Sequence, residues 1–183
     1  MIKLLPLLLN LFFLSIIYKK YAYAKEFTIR NIESDFDNLP NIINNNQNDN
    51  ELILNYVDDY YYTTMSYERY EISVETNITF RGNKNGTIYD FHHERNREFW
   101  IQFPSEKGKT VIFENFIFRN YYANYEMGGL HMFIVMAFTD NFKILFNNCT
   151  FEDNNYAIFR AVIHNLKPTH TDPSIVFNKC KFM

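Results

Sequence analysis

The chain has 183 residues, 47% of them hydrophobic, 19% aromatic and 21% charged, with a formal net charge of −3 and only 5 glycines and 5 prolines. These values exclude collagen-like, linker-like and fully disordered chains, and the slightly negative balance argues against a nucleic-acid platform. A single domain is expected.

Met1 to Ala24 has the form of an export signal. Lys3 supplies a positive start, and Leu4 to Ile17 is an apolar run of about 14 residues, short of the roughly 20 that span a bilayer. Ala22-Tyr23-Ala24 supplies the small-x-small pattern that a signal peptidase accepts. Cleavage after Ala24 would leave 183 − 24 = 159 residues, and a secreted protein is expected. The alternative is a membrane anchor through an uncleaved segment, suggested by Lys19-Lys20 and the bulky tyrosines before the cut. Export gives meaning to three Asn-x-Thr triplets, beginning at Asn77, Asn85 and Asn148, each a candidate glycosylation site that must then be on the surface.

Residues 25–50 read as an N-terminal cap followed by an Asn-rich linker. Phe36, Leu39 and Ile43 recur at helical spacing, Ser34 or Asn38 can cap, and Pro40 fits only a first turn. Asn44 to Asn50 is read as a solvated, compositionally biased loop. From Glu51 onward, in residues 51–183, short β-branched and aromatic runs alternate with polar turns, which is the strand signature. The expected strands are Glu51 to Tyr56, Tyr70 to Val74, Asn77 to Phe80, Thr87 to Phe91, Phe99 to Phe103, Val111 to Phe118, Leu130 to Phe138, Phe142 to Phe151, Tyr156 to His164 and Ser174 to Phe182.

The later runs repeat. Ile112 to Phe118 aligns with Leu145 to Phe151 and then with Val176 to Phe182, at offsets of 33 and 31 residues, and Phe80 precedes Phe113 by another 33. A second set, around Trp100 to Phe103, Met132 to Val135 and Ile158 to Val162, recurs between these copies. A supersecondary unit repeated along one axis, each strand pairing with its equivalent in the next coil at about 4.8 Å, is a parallel β-solenoid. Phe116 and Phe118 share a face, whereas Phe113 to Phe116 is a step of three, so a corner must fall at Asn115. Its equivalents are Gly82 and Asn148, residue types that tolerate a left-handed backbone. Lys179 departs from this pattern and predicts a distorted or differently satisfied last corner. Phe80, Phe113, Phe146 and Phe177 should form one inward ladder and Phe118, Phe151 and Phe182 another.

With these motifs the chain resembles the right-handed parallel β-helix proteins of pectin-lyase-like fold. Glu33 to Asn46 resembles the family's capping helix, Ile72 to Phe91 the start of its coils, and Phe146 to Phe151 and Phe177 to Phe182 its repeat. The resemblance implies an all-β fold of about four coils behind a short N-terminal capping helix, and the lack of a C-terminal cap is a departure from it. It is nearly silent on activity. The uncapped stack after Met183 is read as a truncated domain, the alternative being an end open to end-to-end self-association.

No constellation compels a chemistry. Of the carboxylates Asp90, Glu114, Asp140, Glu152, Asp153 and Asp172, only Glu114 is placed inside a repeat strand, opposite Asn147, so no acidic row is expected. Arg119 and Arg160 read as solvated surface charge. His92-His93-Glu94-Arg95-Asn96-Arg97 is a dense polar turn without a third ligand at metal spacing, and no cofactor is expected. Gly128-Gly129 reads as a turn. Tyr60-Tyr61-Tyr62 and Tyr121-Tyr122 are strand and loop filler, or sugar platforms if exposed on one face. Cys149 and Cys180, one repeat apart, should be inward neighbours on adjacent coils, either bonded or packed as two apolar rungs. The expected function is a secreted, non-catalytic β-helix module for extracellular binding, adhesion or structural assembly, with a cell-surface or extracellular polysaccharide or protein as its partner and no nucleic-acid partner. The alternative is a fragment of a carbohydrate-active enzyme, a lyase or hydrolase whose site lies in further coils.

Overall fold

The computed structural model describes residues 24–62, 69–94, 98–105, 108–122, 131–155, 157–164, 172 and 174–183, without the side chains of Glu33 and Glu94. The chain enters through β1 (Ala24–Ile29), α1 (Glu33–Phe36) and α2 (Leu39–Asn44). A first coil holds β2 (Glu51–Tyr56), β3 (Tyr60–Tyr62) and β4 (Tyr70–Ser73), and a second holds β5 (Asn77–Arg81), β6 (Thr87–Glu94) and β7 (Phe99–Phe103). The third has β8 (Lys109–Glu114), β9 (Phe116–Tyr121) and β10 (Phe133–Ala137). The fourth has β11 (Phe142–Asn147), β12 (Thr150–Glu152) and β13 (Phe159–Ile163), and β14 (Ile175–Asn178) and β15 (Lys181–Phe182) follow. The strands stack into three sheets, β1-β2-β5-β8-β11-β14, β3-β6-β9-β12-β15 and β4-β7-β10-β13, and the pairings are parallel. The fold is an all-β parallel solenoid of about four turns.

Aromatic side chains set the register. Phe80, Phe113, Phe146 and Phe177 are consecutive partners in the first sheet, with ring centroids 4.5, 5.1 and 4.9 Å apart and planes within 11° of parallel. Phe118, Phe151 and Phe182 are likewise consecutive partners in the second sheet, with stacked rings 5.4 and 5.0 Å apart. A third ladder, Phe99, Phe133 and Phe159, runs along the third sheet and meets the other two edge-on, Phe133 lying 5.2 Å from both Phe113 and Phe118. Each such pair adds about 0.5–1.5 kcal/mol to the burial of its rings, so a one-residue slip would lose three stacks at once.

The corners follow the sequence reading with two corrections. Asn115 and Asn148 are left-handed, with φ of 63° and 53°, and Asn148 Nδ2 donates to Asn115 Oδ1 at 2.9 Å, a side-chain rung running along the corner. Lys179 takes the same conformation, φ 54°, so its corner is not distorted; the stack enforces a backbone that a lysine adopts at some cost. Gly82 is not left-handed. It is required because a Cβ there would run into the carbonyl oxygen of Asn115.

At the N-terminal end the polar segment is more ordered than its composition suggests. β1 pairs along its whole length with β2, its Phe27 and Ile29 alternating in a strand that the sequence reading did not assign. Pro40 divides the helical stretch in two, and Phe36, Leu39 and Ile43 pack into the core. Asn44 and Gln47, expected in a solvated loop, close the free edge of β4. Asn44 Nδ2 donates to Glu71 O at 3.0 Å and Oδ1 accepts from Ser73 N. Gln47 Nε2 donates to Ser73 O at 2.6 Å, and Oε1 accepts from Glu75 N and Thr76 N. A carboxamide carries the donor and acceptor of a peptide group, so these two side chains stand in for a neighbouring strand. At the other end Phe177, Phe182 and Met183 are 38%, 56% and 72% exposed.

Two substitutions test this account. Phe113→Ala removes the ring between Phe80 and Phe146, and urea unfolding should register a loss of about 3–5 kcal/mol. Gln47→Ala strands two N–H groups and one carbonyl of the first coil and should cost about 1–3 kcal/mol by the same measurement.

Candidate functional site

The carboxylates do form a row, although not an acidic one. Asp90 lies in β6, Arg119 in β9 and Glu152 in β12, consecutive partners on the outer face of the second sheet. This corrects the expectation that Glu114 alone would stand in a repeat strand; Glu114 is opposite Asn147 as expected, and Arg81 binds it at 2.6 Å. Arg119 is not free surface charge. Its Nε is 2.9 Å from Asp90 Oδ2 and its Nη1 4.0 Å from Glu152 Oε1.

Asp90 is buried and fully engaged. Oδ1 accepts from His92 N and Asn120 Nδ2, each at 2.9 Å, and Oδ2 accepts from Tyr60 Oη and Arg119 Nε, each at 2.9 Å. Burial alone would push this carboxyl up, but the donors from Asn120, His92, Arg119 and Tyr60 outweigh it and hold Asp90 below the usual carboxylate range. Burial, followed by the Asp90 carboxylate, pushes the Tyr60 hydroxyl up, so it stays a neutral donor.

The bond from His92 N to Asp90 is the key to the local backbone. Between the pairs Asp90/Arg119 and Glu94/Tyr121 the three residues 91–93 oppose the single Asn120. The surplus is absorbed by consecutive left-handed histidines, His92 at φ 54° and His93 at φ 59°. Non-glycine residues in this region cost on the order of 1–3 kcal/mol each and persist only where their surroundings impose them. Asp90 imposes it here, its carboxylate closing a turn two residues on. The two histidines, read from the sequence as part of a polar turn, lie at the end of β6 and are both exposed.

Each histidine supports a tyrosine. The His92 ring stacks on Tyr62 at 5.3 Å, with Nε2 3.2 Å from Tyr60 Oη, and the His93 ring meets Tyr122 edge-on at 5.6 Å. Tyr62 and Tyr122 are 42% and 48% exposed, whereas their neighbours Tyr61 and Tyr121 are core residues. Tyr122 and His93 line an open cleft of about 570 Å³ together with Asn120, Asp153, Asn154 and Asn155. Asn120 and Asp153 are both left-handed, at φ 59° and 52°. Asn154 is tied down, Oδ1 accepting from Tyr121 N at 2.9 Å and Nδ2 donating to Phe118 O at 3.0 Å. Alternation in the tyrosine runs was the available sequence signal for this face. The two-residue bulge had none, because it depends on pairing with Asn120.

The other sites singled out in the sequence lie elsewhere. Asn77, Asn85 and Asn148 are all exposed. Cys149 is buried and Cys180 half-buried, both as free thiols, 3.4 and 3.2 Å from the carbonyl oxygens of Phe113 and Phe146. Burial pushes the Cys149 thiol up to about 12, which leaves it unreactive at neutral pH. Asp172 pairs with Lys143 at 3.4 Å. Arg160 is exposed on the third sheet, and Asp140 follows β10. Residues 1–23, 95–97 and Gly128-Gly129 lie outside the described residues, so a cut after Ala24 can be related only to the strand it would shorten by its first residue. Among the described residues no group of three His, Cys, Asp or Glu side chains could hold a metal ion, and no helix is long and apolar enough to cross a membrane. Compared with family models, with curated proteins and with solved structures, the chain finds no match.

Asp90→Asn should lower stability by about 1–3 kcal/mol near neutral pH, through loss of the charge-assisted bonds to Arg119 and His92. Because the folded pKa lies below the ordinary value, this contribution is full above that value and disappears as pH falls through the folded one. Unfolding curves of the two proteins should therefore converge on acidification below about pH 4.

Proposed function

We propose that the chain is an exported, non-catalytic binding module on a right-handed β-helix of pectin-lyase-like type, and that the tyrosine-histidine flank of its second sheet takes an extracellular glycan. The observation that carries this reading is the pair of exposed rings, Tyr62 and Tyr122, each braced by a histidine, with Tyr122 and His93 lining a cleft that also holds the carboxamides of Asn120, Asn154 and Asn155. Flat aromatic rings pack against the C–H face of a sugar, and planar amides bridge neighbouring hydroxyls. Bracing matters because a ring already held in place loses little rotamer entropy on binding.

Support for a binding role rather than turnover comes from the charge row. Asp90 has both oxygens occupied by donors, and Arg119 is neutralised on either side, so the most buried carboxylate of this flank serves to shape it. Support for export comes from Met1 to Ala24 and from the exposure of all three asparagines of the Asn-x-Thr triplets. A glycan on Asn77 or Asn85 would extend from the first sheet or its turn and leave the second-sheet flank open.

Titration of the secreted protein against a panel of soluble oligosaccharides tests the reading. Tyr62→Ala and Tyr122→Ala should each weaken binding roughly tenfold, corresponding to about 1.4 kcal/mol, while leaving the unfolding curve unchanged within about 0.5 kcal/mol. Affinity that survives both substitutions would sink it, and turnover of any oligosaccharide would favour the alternative of a carbohydrate-active enzyme.

A further inference from the structure

The cleft beside Tyr122 has an uneven supply of hydrogen-bonding groups. Asn120 Nδ2 is turned to Asp90 Oδ1 and Asn154 Nδ2 to Phe118 O, so each carboxamide spends a donor on the fold. Asn120 Oδ1 and the Asp153 carboxylate have no partner among the described residues, and both belong to the lining of the cleft. A carboxylate accepts and never donates when ionised. Asp153 is the carboxylate of the lining, Asn120 is bonded to a second one, Asp90, and Arg119 beside them is already paired with Asp90 and Glu152. Arg95 and Arg97 lie outside the described residues. The aromatic lining agrees in sign, since the face of Tyr122 is electron-rich and attracts a cation.

Surplus acceptors, an unpaired carboxylate and ring faces together select a ligand that donates hydrogen bonds and carries positive charge. We propose that the glycan held at this flank bears a free protonated amine, as a hexosamine without its acetyl group does, and that Asp153 receives that amine next to the Tyr122 ring. This rests on the reading of the flank as a glycan site and narrows it to one chemical class. Asp153 becomes the residue that sets specificity, and the tyrosines remain the platform.

The backbone makes the test clean. Asp153 is left-handed, and asparagine adopts that conformation at least as readily, so Asp153→Asn removes the charge and keeps the shape. The full secreted protein would be titrated calorimetrically at about pH 6, where a sugar amine is largely protonated. The probes are a β-1,4-linked glucosamine oligosaccharide, its fully N-acetylated counterpart and a neutral glucose oligosaccharide of equal length. The amine-bearing oligosaccharide should bind at least about tenfold more tightly than the other two, and Asp153→Asn should abolish that preference. Equal affinity for all three with dependence on Tyr122, or a preference that persists in Asp153→Asn, would overturn the amine and leave the glycan reading standing. If none of the three binds, the glycan reading fails, and methylamine decides the amine separately. Chemical-shift changes at Asp153 and Tyr122 that vanish in Asp153→Asn support it, and their absence overturns it.

Discussion

In this solenoid a strand finds its hydrogen-bond partners only in the coils before and after it, because successive strands of one coil belong to different sheets. That constraint makes register the central quantity. Phe113 must stand between Phe80 and Phe146, and Phe118 next to Phe151, or every inward position loses its neighbour together. The three aromatic ladders meet edge-on at Phe133, so the core is a lattice in which the position of one column restricts the other two.

The same constraint governs the end at which the chain enters. A sheet whose edge is left open exposes a row of peptide groups, and among the described residues no strand pairs with the outer side of β4. Asn44 and Gln47 answer this with side-chain amides in place of backbone, while Leu39 and Ile43 cover the apolar interior from above. An asparagine-rich segment, unremarkable by composition, thereby acquires a structural role through the placement of two of its side chains.

Along the second sheet the stack is interrupted on purpose at one point. Two surplus residues in β6 cannot be accommodated in the ladder, and Asp90 gathers the local donors to hold them in a left-handed bulge. The energetic cost of the strained histidines is met by the bonds that Asp90 makes, which explains why a carboxylate is buried in this face at all. The consequence is a change in surface character. A column that would otherwise be regular strand carries two histidines braced against Tyr62 and Tyr122, next to the corner where Asn120 and Asp153 open the cleft.

Repetition was legible in the sequence because the core positions recur at 33 and 31 residues, and identical residue types at a fixed offset can pair only with one another. The parallel stacking, the phenylalanine ladders of the first two sheets and the corner at Asn115 follow from that periodicity, as does the register of Glu114 with Asn147. What does not repeat could not be read in this way. The strand before Glu51, the edge-closing amides and the identity of Asp90 as a buried hub have no second copy to announce them. Gly82 repeats in position but serves by leaving room for a neighbouring carbonyl, a fact about distance between coils and not about residue type. The sequence by itself determined that the chain winds into parallel coils, since local pattern and repeat length act within a strand and its equivalents. Tertiary structure alone decided which outer-face residues meet across coils, because Tyr60 and Arg119 reach Asp90, and Tyr62 reaches His92, through the stacking of coils and not through local sequence.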